Sequence, residues 1–291
     1  MSEGKLVILA GGISSRMKKP AELKENVDSR LIEDSNLKTK SMIGVGNNYR
    51  PFLDYLLYNA REAGYKDILI VIGQNDHSIK QYYGEKDSGN EFYGLNISYA
   101  VQKIAQGKVK PDGTADALWQ GLLVKKDWTG QRFTVCNSDN LYSKLALELM
   151  LKTDYPNAMI NYDRSGLEFD VERIERFAVT LKDKNNFLTD IIEKPTGAEI
   201  EKVRDSDGVI GVSMNIFSLQ YDMIFPVLET VPFHPVRNEK ELPEAVKIMA
   251  NSIKDSVFAY TLLEHVPDLT AKSDIFMVKK YLQEHFPNFK L

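Results

Sequence analysis

Near its start the chain reads Leu9-Ala10-Gly11-Gly12-Ile13-Ser14-Ser15-Arg16-Met17-Lys18-Lys19-Pro20, a glycine pair followed by a knot of cations. Without a Cβ in the way, backbone N–H groups at such a pair can approach a phosphate or a base edge, and Arg16 adds a planar fork of donors suited to phosphate oxygens. The spacing is neither the G-x-G-x-x-G of dinucleotide sites nor a Walker loop. A carboxylate, Asp139, stands just past an apolar run, in Asn137-Ser138-Asp139-Asn140. Projecting from the carboxyl edge of a sheet, it can hold Mg²⁺, which takes one or two carboxylates together with phosphate oxygens. Taken alone it would serve equally as a helix cap. Gln102 ends another apolar run, and its amide offers both a donor and an acceptor to a base, with Gln106 as a substitute. His77, His234, His265 and His285 are scattered without metal-ligand spacing and read as surface or packing residues.

Those residues need a scaffold. Apolar segments of strand length alternate with segments of helical period, which predicts an α/β fold: a Rossmann-like, mainly parallel sheet flanked by helices. Strands are expected at Lys5–Ala10, Asp67–Gly73, Ile97–Gln102 and Arg132–Asn137, and helices at Phe52–Gly64, Thr114–Lys126 and from about Ser143. The second half is less regular, with strands predicted at Asn157–Tyr162, Phe177–Lys182, Phe187–Ile192, Gly208–Phe217 and Val257–Leu263. Helices are predicted there at Leu219–Thr230, Leu242–Ser252 and Ser273–His285. The expectation is one domain, with residues 1–142 binding nucleotide and 143–291 binding the second substrate. Residues 18–37, charged and turn-rich, read as a mobile excursion over the site.

Composition narrows the function classes. With 291 residues the chain can bury a sizeable core, and its net charge of −4 offers no global field for nucleic acid. No apolar run approaches the roughly 20 residues of a membrane helix, and the N-terminal apolar stretch is too short for a signal peptide. A single cysteine, Cys136, suits a reducing compartment, so a cytoplasmic enzyme without membrane or nucleic-acid partners is expected; oligomeric state is open.

Leu9–Met17 resembles the signature loop of the sugar-phosphate nucleotidyltransferases, L-A-G-G-x-G-T-R-[LM] or L-A-G-G-x-S-S-R-M. Further elements follow in that family's order. Lys40 stands where the family has the lysine of P-K-P-L-x-P-V, and Arg50-Pro51-Phe52-Leu53-Asp54-Tyr55 resembles K-P-[ML]-[LI]-x-Y. Gly113-Thr114-Ala115-Asp116-Ala117 matches G-T-A-x-A, Asn137–Asn140 resembles N-x-D-[DN], and Ile192-Glu193-Lys194-Pro195 matches I-x-E-K-P. Pro267–Ile275 resembles a late V-D-[IT]-x-T-P-E-D-L element, with Lys272 in place of its proline.

The resemblance, which spans essentially the whole chain, implies a glycosyltransferase-A-like fold. The implied reaction is attack of a sugar 1-phosphate on the α-phosphate of a nucleoside triphosphate, with Mg²⁺ and release of pyrophosphate. A phosphate dianion is already a nucleophile, so no Ser-His-Asp or Cys-His arrangement is required; charge neutralisation and in-line positioning are. It implies Arg16 and Lys40 as catalytic cations, and Leu9, Ala10, Gly11, Gly12, Gln102, Gly113, Thr114 and Asp139 as the nucleotide site. Glu193, Lys194 and Asn215 would bind the sugar phosphate, and Asp139 with Asp268 the metal; Asp274 is the helix-opening acid, with a capping role. UTP or dTTP is favoured as donor. Ser14 stands where sugar branches carry glycine, and the S-S-R-M form resembles transferases of non-sugar phosphates. The alternatives are therefore a cytidylyl- or guanylyltransferase of that kind, or a catalytically silent nucleotide-sugar sensor.

Overall fold

The computed structural model describes residues 3–19 and 28–290; Pro20 and the middle of the charged excursion lie outside the described residues. The first half runs β1 (Gly4–Ala10), α1 (Ser29–Leu37), α2 (Phe52–Ala63), β2 (Tyr65–Gly73), α3 (Ser78–Tyr83), β3 (Asn90–Phe92), β4 (Leu95–Gln102), α4 (Thr114–Val124) and β5 (Arg132–Asn137). The second runs α5 (Lys144–Lys152), β6 (Asn157–Asp163), α6 (Val171–Ile174), β7 (Val179–Lys182), β8 (Leu188–Ile192), α7 (Gly197–Lys202), β9 (Gly211–Gln220), α8 (Tyr221–Thr230), α9 (Leu242–Ser252), β10 (Val257–Leu262) and α10 (Asp274–His285).

One sheet passes through both halves in the order β10-β6-β9-β5-β1-β2-β4-β3, with β7 pairing to β9 and β8 to β7. The centre, β5-β1-β2-β4, is parallel. β9 enters antiparallel between β5 and β6, and β10 lies parallel to β6. Central strands are buried on both faces, which is why β1 and β2 read as continuous apolar runs. Along β1 the side chains alternate: Leu6 and Ile8 face the core beneath α2, α5 and α10, while Val7 and Leu9 face that beneath α4, α8 and α9.

This order creates the site. From β1 the chain steps to β2 on one side and later to β5 on the other, so the carboxyl ends of β1 and β5 flank a crevice, the usual ligand position in open α/β sheets. The Gly11-Gly12 turn follows β1, and Asp139 follows β5. Ser138 ties the two ends together, its N–H donating to the Leu9 carbonyl at 3.1 Å.

Where the excursion is described, it holds a helix: Asp28 accepts from the Arg30 N–H and Leu31 is buried, two stabilising features that a charge count conceals. β9 begins three residues later than its apolar run, because Asp205–Gly208 close a turn and the Asp205 carboxylate accepts from the N–H groups of Asp207 and Val209.

Candidate functional site

Two adjoining cavities occupy the crevice. One, of about 450 Å³, is lined by the Leu9–Gly12 turn, Lys40, Gln102 and Gly113. The other, of about 810 Å³, is lined by Lys194, Arg173, Asp268 and Thr270. Arg16, Asp139, Glu193 and Asn215 belong to the walls of both.

At the first cavity the glycine turn is a matter of space. A Cβ on Gly11 would come within 2.6 Å of Gln102 Oε1, so any larger residue would push that buried amide aside. The Gln102 amide nitrogen donates to the Gly113 carbonyl at 2.9 Å and to Asp116 Oδ2 at 2.8 Å, which leaves its carbonyl oxygen beside Gly11. Gln102, not Gln106, stands in the cavity wall. Thr114 also lines it, but its hydroxyl accepts from the Leu242 N–H at 2.9 Å and so anchors the start of α9.

Asp139 and Asp268 come together through the backbone. Leu269 N–H donates to the Asp139 carbonyl at 2.8 Å, and Leu141 N–H to the Pro267 carbonyl at 2.9 Å, which zips the end of β5 to the loop before α10. Thr270 Oγ1 lies 3.3 Å from Asp139 Oδ2 and 2.5 Å from Asp268 Oδ1, bridging the two carboxylates. Burial and, after it, the Asp139 charge push the Asp268 carboxyl above its ordinary range, against the opposing pull of Arg173. The Lys40 ammonium pairs with Asp139, and Arg173 pairs with Asp268 at 2.7 Å and with Asp274 at 2.6 Å. Asp274 closes the turn ahead of α10, accepting from the N–H groups of Thr270 and Ala271 at 2.9 and 2.7 Å.

Two wall residues, Lys194 and Asn215, and Ser14 of the signature loop hold backbone conformations that side chains disfavour. Ser14 (φ 54°), Lys194 (φ 49°) and Asn215 (φ 58°) all lie in the left-handed region. Asparagine tolerates it, but for serine and lysine the conformation costs about 1–3 kcal/mol that the surroundings must hold in place. Ser14 thus adopts the backbone a glycine would have taken, and its Oγ accepts from the Lys40 N–H at 3.4 Å. That contact ties the signature loop to the turn carrying Lys40.

Arg237, Thr270 and Arg173 carried no assignment from sequence. Arg237 pairs with Glu193 at 3.5 Å and with Glu241 at 2.7 Å, fixing the Glu193 side chain from a loop between α8 and α9. Burial pushes the Glu241 carboxyl up to about 7, with Arg237 opposing and Glu193 and Glu239 adding to the rise. Thr270 sits inside the late acidic element, whose pattern leaves that position open. Arg173 and Arg237 lie in charged, turn-rich segments with no spacing signal.

The sequence matches the nucleotidyl transferase family over residues 28–259. The glucose-1-phosphate adenylyltransferase of Paraburkholderia phytofirmans is 25% identical over 213 residues, covering 69% of this chain and 47% of that protein. The chain therefore spans about half the length of that curated relative. Among solved structures, a UDP-glucose pyrophosphorylase complexed with UDP-glucose superposes with a TM-score of 0.69 at 16% identity, over 97% of this chain and 99% of the other. A UTP-bound UDP-glucose pyrophosphorylase from Acinetobacter baumannii gives 0.69 at 16% identity, over 98% and 95%. At that identity the likeness is one of fold.

Proposed function

The chain belongs to the nucleotidyl transferase family, and from that premise we propose that it joins a nucleoside triphosphate to a sugar 1-phosphate with release of pyrophosphate. The observation that carries this reading is the shared wall of the two cavities: Asp139 and Arg16 stand between the glycine turn with Lys40 on one side and Lys194 on the other. An oxygen of the acceptor phosphate attacks the α-phosphorus, and the bond to the departing pyrophosphate breaks in line. Gly11 and Gly12 let the backbone approach the nucleotide. Arg16 and Lys40 stabilise charge on the triphosphate and on pyrophosphate as it leaves. Lys194 holds the acceptor phosphate, and Glu193 and Asn215 accept and donate hydrogen bonds to sugar hydroxyls.

The site suits Mg²⁺. Asp139 and Asp268 present hard oxygens joined through one hydroxyl, and their mutual repulsion is what a cation between them relieves. Among the described residues no group of three or more metal-binding side chains is found, so phosphate oxygens and water would complete the shell. Bound there, the ion would neutralise phosphate charge and orient the α-phosphate.

UTP and dTTP are the donors we propose, and the fold neighbours described with UDP-glucose and UTP support testing uracil first. Pyrophosphate release over a panel of triphosphates and phosphorylated acceptors tests the reading. Release with UTP or dTTP and a sugar 1-phosphate is expected; release with no pair overturns it. The Ser14-Ser15 pair favours the second reading, transfer to a non-sugar phosphate, which release confined to CTP or GTP with such an acceptor would select.

A further inference from the structure

Arg173 stands between the two functions of the crevice. Its guanidinium lies 2.7 Å from Asp268 and 2.6 Å from Asp274, and rests on the Phe169 ring with 4.5 Å to the centroid. Asp268 is buried and, among the described residues, receives one other side-chain hydrogen bond, from Thr270. A buried carboxylate beside a second carboxylate is costly without a counter-ion, so Arg173 does at Asp268 what Lys40 does at Asp139. Three carboxylates, Asp139, Asp268 and Asp274, are thus met by two side-chain cations, with Arg173 shared between Asp268 and Asp274. A divalent ion held by Asp139 and Asp268 would release Lys40 from its carboxylate and leave Arg173 with Asp274 alone, one edge of its fork free for negative charge that the substrates bring. Lys40 lines the glycine-turn cavity, and Arg173 lines the one with Lys194.

Resting on the reading of Asp139 and Asp268 as metal ligands, we propose that Arg173 is an exchangeable counter-ion. It holds Asp268 until a divalent cation arrives, and then transfers its charge to the phosphorylated acceptor. Metal loading therefore arms the acceptor side, and metal binds before acceptor. The guanidinium need not leave Phe169 and Asp274 to do this, since a rotation that breaks only the Asp268 contact frees one edge of its fork.

The test compares wild type with Arg173→Gln in two titrations. With Mn²⁺ alone, the free ion followed by electron paramagnetic resonance, the variant should bind at least about fivefold more tightly, because the competing cation is gone. With Mn²⁺ present, glucose 1-phosphate measured by calorimetry should bind at least about tenfold more weakly, the loss typical of one charge-assisted contact. Equal or weaker Mn²⁺ binding overturns the proposal, as does unchanged acceptor affinity. Should Arg173→Gln fail to fold by circular dichroism, Phe169→Leu removes the ring under the guanidinium. It should move both affinities in the same directions by smaller factors; no movement, or the reverse, overturns the proposal. The underlying reading is tested separately, since replacing Asp139 and Asp268 together by Asn should abolish Mn²⁺ uptake. If uptake persists, or wild type takes up neither Mn²⁺ nor glucose 1-phosphate, the metal and acceptor assignments fall and this inference with them.

Discussion

Each charged residue of the crevice makes a different demand on the experiment that probes it. The Asp139 carboxylate meets Lys40 and Thr270, while its backbone carbonyl accepts from the Leu269 N–H, so side chain and main chain are both held in place. Asp139→Ala is expected to abolish turnover while circular dichroism stays native, and so is removal of Mg²⁺ from wild type. A variant within about tenfold of normal rate, about 1.4 kcal/mol of barrier, would show that the metal lies elsewhere. Lys194 lines the cavity proposed to take the acceptor, where one charge-assisted contact is worth about 1.5–3 kcal/mol. Lys194→Ala should therefore weaken apparent acceptor binding at least about tenfold and leave triphosphate binding, measured without acceptor, almost unchanged. The opposite pattern would dismantle the division of the crevice into two sides. Replacing Arg16 by Lys should also be damaging in steady-state assays, because an ammonium lacks the guanidinium fork; full activity in that variant would remove Arg16 from the catalytic set.

At the scale of elements, the junction between α4 and α9 holds the floor of the glycine-turn cavity. Ala115 N–H donates to the Lys240 carbonyl at 3.0 Å, and Lys240 N–H donates to the Asp112 carbonyl at 2.5 Å. Gly113 sits between these bonds at φ 107°, and a Cβ there would lie 2.4 Å from the Lys240 carbonyl oxygen. Backbone cannot yield as a flexible side chain does. Gly113→Ala should destabilise the chain by more than about 1 kcal/mol in urea denaturation and displace the carbonyl that orients Gln102. A variant with an unchanged midpoint would mean that this junction is pliable. Gly11-Gly12 and Asp139 each follow a buried strand, and the register β1 shares with β5, Leu6 opposite Thr134 through Leu9 opposite Asn137, sets where the two turns emerge.

For the molecule as a whole, the charge network across the crevice makes stability depend on pH. Glu241 is raised from 4.5 to about 7, first by burial and then by Glu193 and Glu239, with Arg237 opposing. The folded chain holds this proton more tightly than the unfolded chain. Its stabilising contribution is therefore fully present below about pH 4.5 and is lost as pH rises through about 7. Denaturation midpoints measured from pH 5 to 8 should carry a falling component that Glu241→Gln flattens. If wild type and variant keep parallel profiles, the proton is not on Glu241. The same network joins the α8–α9 loop to Glu193, so the cavity wall at Glu193 and the start of α9 are coupled.

How much was legible in the sequence follows from the range of the forces involved. Burial has a local period, so β1, β2, β4 and β5 could be read from their apolar runs, and with them the emergence of Gly11-Gly12, Gln102 and Asp139 at strand ends. Motif order placed the chain among the nucleotidyl transferases, which the match over residues 28–259 shows. Short helices such as α6 and α7 have too few turns for a period to register, and β9's antiparallel entry between β5 and β6 is a choice among sheet edges that no local run encodes. The pairings that give the crevice its electrostatics were invisible for the same reason. Lys40 meets Asp139 across 99 positions and Arg173 meets Asp268 across 95, and nothing in either neighbourhood names its partner. The sequence by itself determined which residue types reach the carboxyl edge of the sheet. Only the tertiary structure decided which cation answers which carboxylate, because that is fixed by packing among distant segments.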